Sequence, residues 1–221
     1  MNKFVTSCLA VIALAGCNPA PSQPDLKDAP LAGARIGGPF TLTDQNGAKR
    51  SFDEFRGKFP LVYFGYTMCP DICTPDMQQM MAGLKQFEEA NPKLAGKVQP
   101  LFITVDPERD TPAALAEFTA VDPARDTPAK LKEFVEAFHP RLIGLTGSEE
   151  EIAATARSFA VYYQKMDGSA PDAYLMSHSQ TPYLMDPQGK PLALIPVDTP
   201  NTDANEGEPK LVAAELAKWV R

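Results

Sequence analysis

Apolar residues lie along the chain in short runs with either strand-like or helix-like spacing. Residues 61–66 and 98–105 are almost continuously apolar, which is typical of central strands buried on both faces of a sheet. Between them, a helix is expected to begin near Pro75, with Thr74 as its capping residue, and to end at Asn91. Its apolar positions recur at helical spacing: Met77, Met80, Met81, Leu84 and Phe87.

Shorter patterns predict the other elements. Residues 40–43 alternate as a strand, and the turn at 44–47 predicts an N-terminal β-hairpin with residues 49–52. Further on we expect a strand at 142–145, a helix from Ser148 to about Phe159, a strand at 161–165, a loop at 167–177, a hairpin of 183–185 with 192–195, and a last helix with Leu211, Val212, Leu216 and Trp219 on its apolar face. This order predicts an α/β fold with a central mixed sheet flanked by helices.

A tandem repeat interrupts this order. Residues 105–118 recur as residues 121–134 at an offset of 16, and eleven of the fourteen positions are identical. Thr111-Pro112 and Thr127-Pro128 each predict a helix start. Two units are too few for a solenoid, so we interpret the repeat as two short helices inserted at the surface. A duplicated partner-binding surface is the alternative.

The charge and the N-terminal segment narrow the classes of function. The 221-residue chain has a net charge of -7, which argues against a nucleic-acid partner. Residues 1–16 combine a positive start with a short apolar run, which is typical of a cleaved signal peptide. The sequence that ends at Cys17 resembles a bacterial lipobox, which implies lipidation of that cysteine. An uncleaved anchor, or a signal peptide cut elsewhere, is the alternative.

The expected organisation follows from this leader. Residues 1–16 form the signal peptide, residues 17–35 the lipidated N-terminus and a flexible tether, and residues 36–221 the folded domain. We expect the lipid to hold the domain at a membrane of the bacterial cell envelope, facing the periplasm.

Cys69 and Cys73 are then the two cysteines left in the folded domain, because Cys8 leaves with the signal peptide and Cys17 carries lipid. They follow the strand at 61–66, at the carboxyl end where open sheets place their sites. Their spacing allows either a disulfide or joint binding of one metal ion. Thiolates select Cu(I), zinc or an iron–sulfur cluster, and the last two normally need about four ligands. Two thiolates and one imidazole suit Cu(I).

The chain has two histidines that are candidates for the third ligand. His139 precedes Pro140 at the end of a helical stretch, and we interpret it as a surface histidine. His178 lies in a loop before the second hairpin. Met68 and Met176 flank these positions, but methionine is more often a core filler, and we leave both out of the site.

Four segments carry a family resemblance. They are Phe64–Cys73, Val105–Pro112, Ile143–Gly147, and His178-Ser179 with Tyr183–Asp186. In this order they resemble the SCO/SenC family, over about residues 36–221. The resemblance implies a thioredoxin-like fold, in which the loop of His178 returns beside the cysteines. It also implies assembly of the binuclear copper centre of cytochrome c oxidase subunit II. Copper, as Cu(I) or Cu(II), is then bound by Cys69, Cys73 and His178.

The chain departs from the family pattern at three places. Thr74 stands where the family often has proline, and the repeat adds a second unit of the Val105–Pro112 motif. Ser177 stands where the family often has aspartate, which affects the orientation of His178. All three ligands remain.

Two functions follow for the cysteine pair. As a metallochaperone, which is not an enzyme, the protein receives copper from a periplasmic donor protein and passes it to subunit II by ligand exchange. As a thiol–disulfide oxidoreductase, it uses Cys69 and Cys73 as a catalytic redox pair that forms a disulfide while the cysteines of subunit II are reduced. A purely structural disulfide is a third and less favoured interpretation, because the pair lies at a strand-to-helix junction.

Overall fold

The computed structural model describes residues 23–69, 72–119, 139–167, 174–199, 202 and 204–221. The strands in these ranges are β1 (Thr41–Asp44), β2 (Lys49–Ser51), β3 (Phe59–Gly65), β4 (Val98–Thr104), β5 (Ile143–Thr146), β6 (Tyr163–Met166), β7 (Leu175–His178), β8 (Tyr183–Met185) and β9 (Pro191–Leu194). The helices are α1 (Cys73–Ala90), α2 (Pro112–Thr119), α3 (Glu149–Ser158) and α4 (Pro209–Trp219), with short 3₁₀ helices at Leu26–Asp28 and Phe52–Phe55.

Seven of these strands form one mixed sheet in the order β2-β1-β5-β4-β3-β8-β9. The three central strands β5, β4 and β3 are parallel, and the N-terminal hairpin β1–β2 joins the sheet antiparallel to β5. Every residue of β3 and of β4 is buried, as their continuous apolar runs predict. The two strands pair in register from Phe59 opposite Val98 to Gly65 opposite Thr104, so their carboxyl ends lie side by side. The predicted α/β fold is confirmed.

Helix α1 follows β3 and closes one face of the sheet. Its predicted apolar residues are all buried. It approaches α4 so closely at Gly83 that a Cβ there would lie 2.5 Å from the Cβ of Val212. Leu216 and Trp219 of α4 are also buried, whereas Leu211 is 41% exposed. The prediction for Leu211 was wrong because this residue lies one position outside the i, i+4, i+7 stripe that faces the core.

Helix α1 begins earlier than predicted. Its first residue is Cys73, the capping position is Ile72, and no side chain caps the helix, so Thr74 does not have the predicted role. Pro75 falls inside the first turn. Proline is tolerated there because the first N–H groups of a helix have no intrahelical partner. The consequence is that Cys73 is held by the helix itself.

The prediction of a loop across residues 167–177 was wrong at its end, and so was the prediction that His178 lies in a loop. Residues Leu175–His178 form β7, which pairs antiparallel with β6 from Tyr163 opposite His178 to Met166 opposite Leu175. These two strands form a ribbon separate from the main sheet. Local sequence does not reveal such a strand, since its hydrogen-bond partner lies elsewhere in the chain.

Some predictions fall partly or wholly outside the described residues. Helix α2 starts at Pro112 as the first copy of the repeat predicts, whereas the helix predicted from Thr127-Pro128 lies outside the described ranges. Residues 1–22, with the predicted signal peptide and Cys17, also lie outside them. Within the described part of the chain, none of the helices combines the length and the apolar character that crossing a bilayer requires.

Candidate metal centre

Cys69, Cys73 and His178 meet beyond the carboxyl end of β3. Each offers one donor atom, and the three donor atoms lie within 4.8 Å of one another. Sγ of Cys73 lies 3.3 Å from Nε2 of His178, and the backbone N–H of Cys73 donates to Sγ of Cys69 at 3.3 Å. Both cysteines are free thiols. The three residues proposed as ligands from the sequence therefore form one cluster.

Three different elements deliver these side chains. Cys69 lies in the loop after β3, Cys73 is the first residue of α1, and His178 is the last residue of β7. Cys73 is fully buried, whereas Cys69 and His178 are partly exposed. They border a cleft of about 250 Å³, whose lining also includes Tyr66, Ile72, Met166, Leu175, Met176, Ser177 and Gln180. A metal ion held by the three donors would therefore be reachable from one side.

The two thiols are electrostatically unequal. A hydrogen bond between the two sulfurs lowers the pKa of Cys69 far below its ordinary value, and His178 and the backbone N–H groups of Ile72 and Cys73 act in the same direction, although burial opposes them. The same sulfur–sulfur bond, together with burial, raises the pKa of Cys73 well above its ordinary value. The metal-free site thus pairs an accessible thiolate with a buried thiol.

The hydrogen bond of the other ring nitrogen fixes how His178 presents its donor atom. Nδ1 lies 3.0 Å from the carbonyl oxygen of Ser179. A carbonyl can only accept, so Nδ1 carries a proton, and Nε2 is the ring nitrogen that faces the sulfurs. Ser177 is exposed and borders the same cleft, but by strand alternation its side chain and the ring of His178 leave the ribbon on opposite faces. A main-chain carbonyl therefore orients the ring, and the departure at Ser177 leaves that contact intact.

Two tyrosines of the buried strand region also contact the centre. The ring of Tyr66 meets the ring of His178 edge to face, with centroids 5.9 Å apart. The hydroxyl of Tyr63 donates to Oδ2 of Asp76 at 3.0 Å, and burial raises the pKa of Asp76 to about 6. Sequence reasoning missed all three residues. Two features of the sequence could have indicated them. Tyr63 and Tyr66 place hydroxyl groups within an apolar run, and Asp76, which we interpreted only as a helix-start residue, is an acid close to that run in sequence.

The structure does not bring His139 to the centre. His139 is buried, with 8% of its surface exposed, so its prediction as a surface histidine was wrong. Its Nε2 lies 3.1 Å from Glu88, which also contacts Arg141, and Glu88 belongs to the last turn of α1. The Glu88 carboxylate provides a hydrogen-bond partner for the buried ring of His139. A local sequence pattern does not show this contact, because Glu88 lies far from His139 in the chain.

The methionines divide into two groups. Met77, Met80 and Met81 are core residues, as their helical spacing predicts. Met68, by contrast, is 59% exposed, and Met176 lines the cleft beside Cys69 and His178. Core filling therefore does not explain Met68, whereas Met176 packs partly against the core and also borders the cleft.

Comparison with known proteins gives a consistent result. The family model for SCO1/SenC matches residues 28–120 and 118–212. These two matches meet between the two copies of the repeat, as an additional unit in this chain would cause.

Individual relatives cover most of the chain. A mitochondrial SCO2 homolog of Bos taurus is 44% identical over 160 residues, which are 72% of this chain and 53% of that protein. The chain thus spans about half the length of this relative. A SCO2-like protein of Rickettsia felis is 38% identical over 170 residues, 73% of each chain. Among solved structures, ScoI of Bradyrhizobium japonicum with copper bound has a TM-score of 0.64 and 35% identity, over 83% of this chain and 99% of that one. The fold is accordingly thioredoxin-like.

Proposed function

The chain belongs to the SCO1/SenC family, and on this premise we propose that it is a copper metallochaperone for cytochrome c oxidase. Copper is its cargo. Cys69, Cys73 and His178 bind Cu(I), and the protein passes the ion to the binuclear copper centre of oxidase subunit II. The relative ScoI, described with copper bound, supports the choice of metal.

One observation carries this proposal: the donor atoms of two cysteines and one histidine lie within 4.8 Å of one another, in a cleft open on one side. Thiolate and imidazole are the ligands that Cu(I) favours. Closed zinc and iron–sulfur sites normally use about four protein ligands, and the described residues group only these three. The donor set therefore fits copper better than either alternative.

The cleft also suits delivery. The raised pKa of Cys73 favours its thiol, whose proton Cu(I) displaces on binding, while the lowered pKa of Cys69 favours its thiolate before the ion binds. Since Cys69 and His178 are partly exposed, ligands of the acceptor can approach the ion from the open side and replace them in turn. Such an exchange moves the ion and thiol protons and changes no other covalent bond, so we class the protein as a metallochaperone rather than an enzyme.

A second function is favoured by the inequality of the two thiols. In a thiol–disulfide reductase, the thiolate of Cys69 attacks a disulfide of the partner and forms a mixed disulfide, and one partner thiolate leaves. Cys73 then loses its proton and attacks Cys69, which releases the second partner thiolate. The two cysteines of this protein are then oxidised to a Cys69–Cys73 disulfide, and the partner's disulfide is reduced by the same two electrons. An accessible thiolate next to a buried thiol suits this sequence.

We also propose the cellular setting. The relative from Rickettsia felis is bacterial, and we place this protein at the bacterial cell envelope. Lipid on Cys17 holds the domain at a membrane, after cleavage of residues 1–16. Of the expected tether 17–35, the part from Gln23 onward contacts the domain, since Ala29 is buried and the N–H of Leu31 donates to the carbonyl oxygen of Leu192. The domain then faces the periplasm, where a copper donor protein and subunit II are accessible to the cleft.

The deciding experiment measures copper stoichiometry and X-ray absorption on the reduced full-length protein. We expect about one copper per chain with about two sulfur and one nitrogen neighbours. Cys69→Ser and Cys73→Ser should each lose a sulfur neighbour, whereas His139→Ala should keep the full shell. A shell of four sulfurs, or no copper retained against a Cu(I) chelator, would refute the metallochaperone. Reduction of an oxidised subunit II peptide by the same sample would then support the second function.

A further inference from the structure

The first copy of the repeated motif lies directly beside the metal centre. Asp110 is fully buried. Its Oδ2 accepts from the backbone N–H of Thr67 at 3.0 Å and from the hydroxyl of Thr104 at 2.7 Å, and its Oδ1 accepts from the hydroxyl of Thr67 at 2.6 Å. Thr67 stands two residues before Cys69. This one carboxylate therefore anchors the loop of Cys69 to the end of β4.

The neighbouring residue, Arg109, reaches the other half of the centre. Its Nη1 donates to the carbonyl oxygen of Tyr174 at 3.0 Å, and its guanidinium lies 3.7 Å from the centroid of the Tyr174 ring. Its Nε pairs with Asp106 at 2.5 Å. Tyr174 stands directly before β7, four residues before His178. Arg109 therefore fixes the start of the strand that ends in the histidine ligand.

The same motif holds the partner strand of the ribbon. The hydroxyl of Tyr174 lies 2.7 Å from a carboxylate oxygen of Asp106 and 3.0 Å from one of Glu108, so its single proton is shared between these two acceptors. Glu108 also accepts from Lys165 of β6 at 2.8 Å, and the ammonium of Lys165 lies 3.8 Å from the centroid of the Tyr174 ring. Both strands of the ribbon are thus tied to residues 106–109. Because the ribbon is separate from the main sheet, these contacts replace the ladder hydrogen bonds that would otherwise fix its position.

We propose that Arg109 and Asp110 are positioning residues of the metal centre, Asp110 for the loop that carries Cys69 and Arg109 for the ribbon that carries His178. The inference rests on the proposed copper site for its metal readout. The geometry that suggests it does not depend on metal, because two adjacent residues of one turn hold the chain on both sides of the ligand cluster. The planar, forked guanidinium can contact Asp106, the Tyr174 carbonyl and the Tyr174 ring together, which a lysine cannot.

The test uses the repeat as its own control. Arg125 has the same place in the second copy, within the same Val-Asp-Pro-x-Arg-Asp-Thr-Pro sequence, and lies outside the described residues. Arg109→Gln and Arg125→Gln are compared in the reduced full-length protein, first without copper, by amide hydrogen exchange. We expect faster exchange in β6 and β7 for Arg109→Gln and unchanged exchange in β3 and β4. Arg125→Gln should match the wild type.

Copper then gives the second readout. Arg109→Gln should keep two sulfur neighbours but lose the nitrogen neighbour in X-ray absorption, with affinity lowered about 10–100-fold, as for other residues that orient a metal ligand. Asp110→Asn should keep the nitrogen and instead change the alkylation rate of Cys69 in the copper-free protein. Thr67→Val, which removes only the hydroxyl donor, should change that rate in the same direction if Asp110→Asn proves poorly folded.

The outcomes separate the two proposals. Unchanged ribbon exchange in Arg109→Gln, or acceleration spread over the whole sheet, overturns the positioning role. An equal effect of Arg125→Gln overturns its assignment to the first copy. If the wild type binds no copper while Arg109→Gln still loosens only the ribbon, the positioning of the ribbon stands and the metallochaperone fails.

Discussion

His178 and His139 lie near opposite ends of α1, His178 beside its first residue and His139 beside Glu88 in its last turn. Their hydrogen bonds select opposite tautomers. His178 uses Nδ1–H toward a carbonyl and leaves Nε2 for the cleft. In His139, Nδ1 accepts from the backbone N–H of Arg141 at 3.2 Å, so the proton lies on Nε2, which donates to Glu88.

The difference teaches that residue type alone does not make a ligand. Both nitrogens of His139 are engaged by protein groups and the ring is buried, so no lone pair is left for a metal ion. His178 keeps one nitrogen for two sulfurs in a partly exposed cleft. One end of α1 therefore presents a ring nitrogen to a partly exposed cleft, whereas at the other end both ring nitrogens are used by protein groups.

The largest expected effect is on copper affinity, and it tests the contrast between the two histidines directly. His178→Ala should weaken Cu(I) binding more than about 100-fold, because loss of a ligand exceeds the about 10–100-fold cost of losing its hydrogen-bond partner. His139→Ala should leave the affinity nearly unchanged in the folded protein. Competition with a Cu(I) chelator measures both variants. Equal affinities in the two variants would show that the geometry of the cluster has been misinterpreted.

The end of α1 beside His139 should affect the free energy of unfolding rather than copper binding. Glu88→Ala leaves Arg141 and His139 without their shared carboxylate, and loss of a partner that leaves such groups unpaired costs about 1–3 kcal/mol. His178→Ala should change the free energy of unfolding by less than about 1 kcal/mol, as is usual for a partly exposed side chain. Urea unfolding of the copper-free proteins tests this, and a reversed order would contradict it.

Two acids of α1, Asp76 and Glu88, should give the stability opposite dependence on pH. Burial raises the pKa of Asp76 to about 6 from 3.8, so its contribution favours folding below pH 3.8 and is lost as the pH rises through 6. Burial alone would raise the pKa of Glu88, but hydrogen bonds from Arg141, Gly96 and His139 lower it below 4.5. Its contribution is present above pH 4.5 and is lost on acidification.

Asp76→Asn should therefore raise the free energy of unfolding at pH 7.5 by about 1–2 kcal/mol, since each pKa unit corresponds to about 1.4 kcal/mol and relaxation reduces the full value. At pH 3.5 the variant should show no such gain. The exposed Asp28→Asn serves as the control at both pH values, again in copper-free protein. A gain that is the same at both pH values would mean that ionisation of Asp76 is not its cause.

The smallest effect concerns the departure from the family pattern beside the ligand. Ser177→Asp adds a carboxylate on the exposed side of the ribbon, away from the ring of His178. Interactions between exposed charges are worth at most about 1 kcal/mol, so we expect copper affinity to change less than about fivefold. A larger gain would show that this carboxylate displaces the Ser179 carbonyl as the partner of Nδ1.

Much of the fold follows from local patterns. The apolar runs of β3 and β4, the turn between β1 and β2, and the capping box of Ser148 each depend on residues close in sequence. These patterns predicted the elements because strand and helix periodicity is a local property. The ligands were predicted in another way, since the resemblance selected His178 over His139.

Contacts between residues that are far apart in the chain could not be predicted from local sequence patterns. The strand β7 exists through pairing with β6, the burial of His139 depends on Glu88, 51 residues earlier, and Asp110 meets Thr67 across 43 residues. No periodicity encodes a partner at that separation.

The sequence by itself indicated the sheet, the cysteine pair, the repeat and the three residues that we propose as ligands. The tertiary structure alone decided which nitrogen of each histidine is protonated, which thiol is buried, and how the first copy of the repeat is placed beside the centre. The physical reason is that a side chain's chemistry is set by its hydrogen-bond partners and its burial, and folding brings these partners together from far apart in the chain.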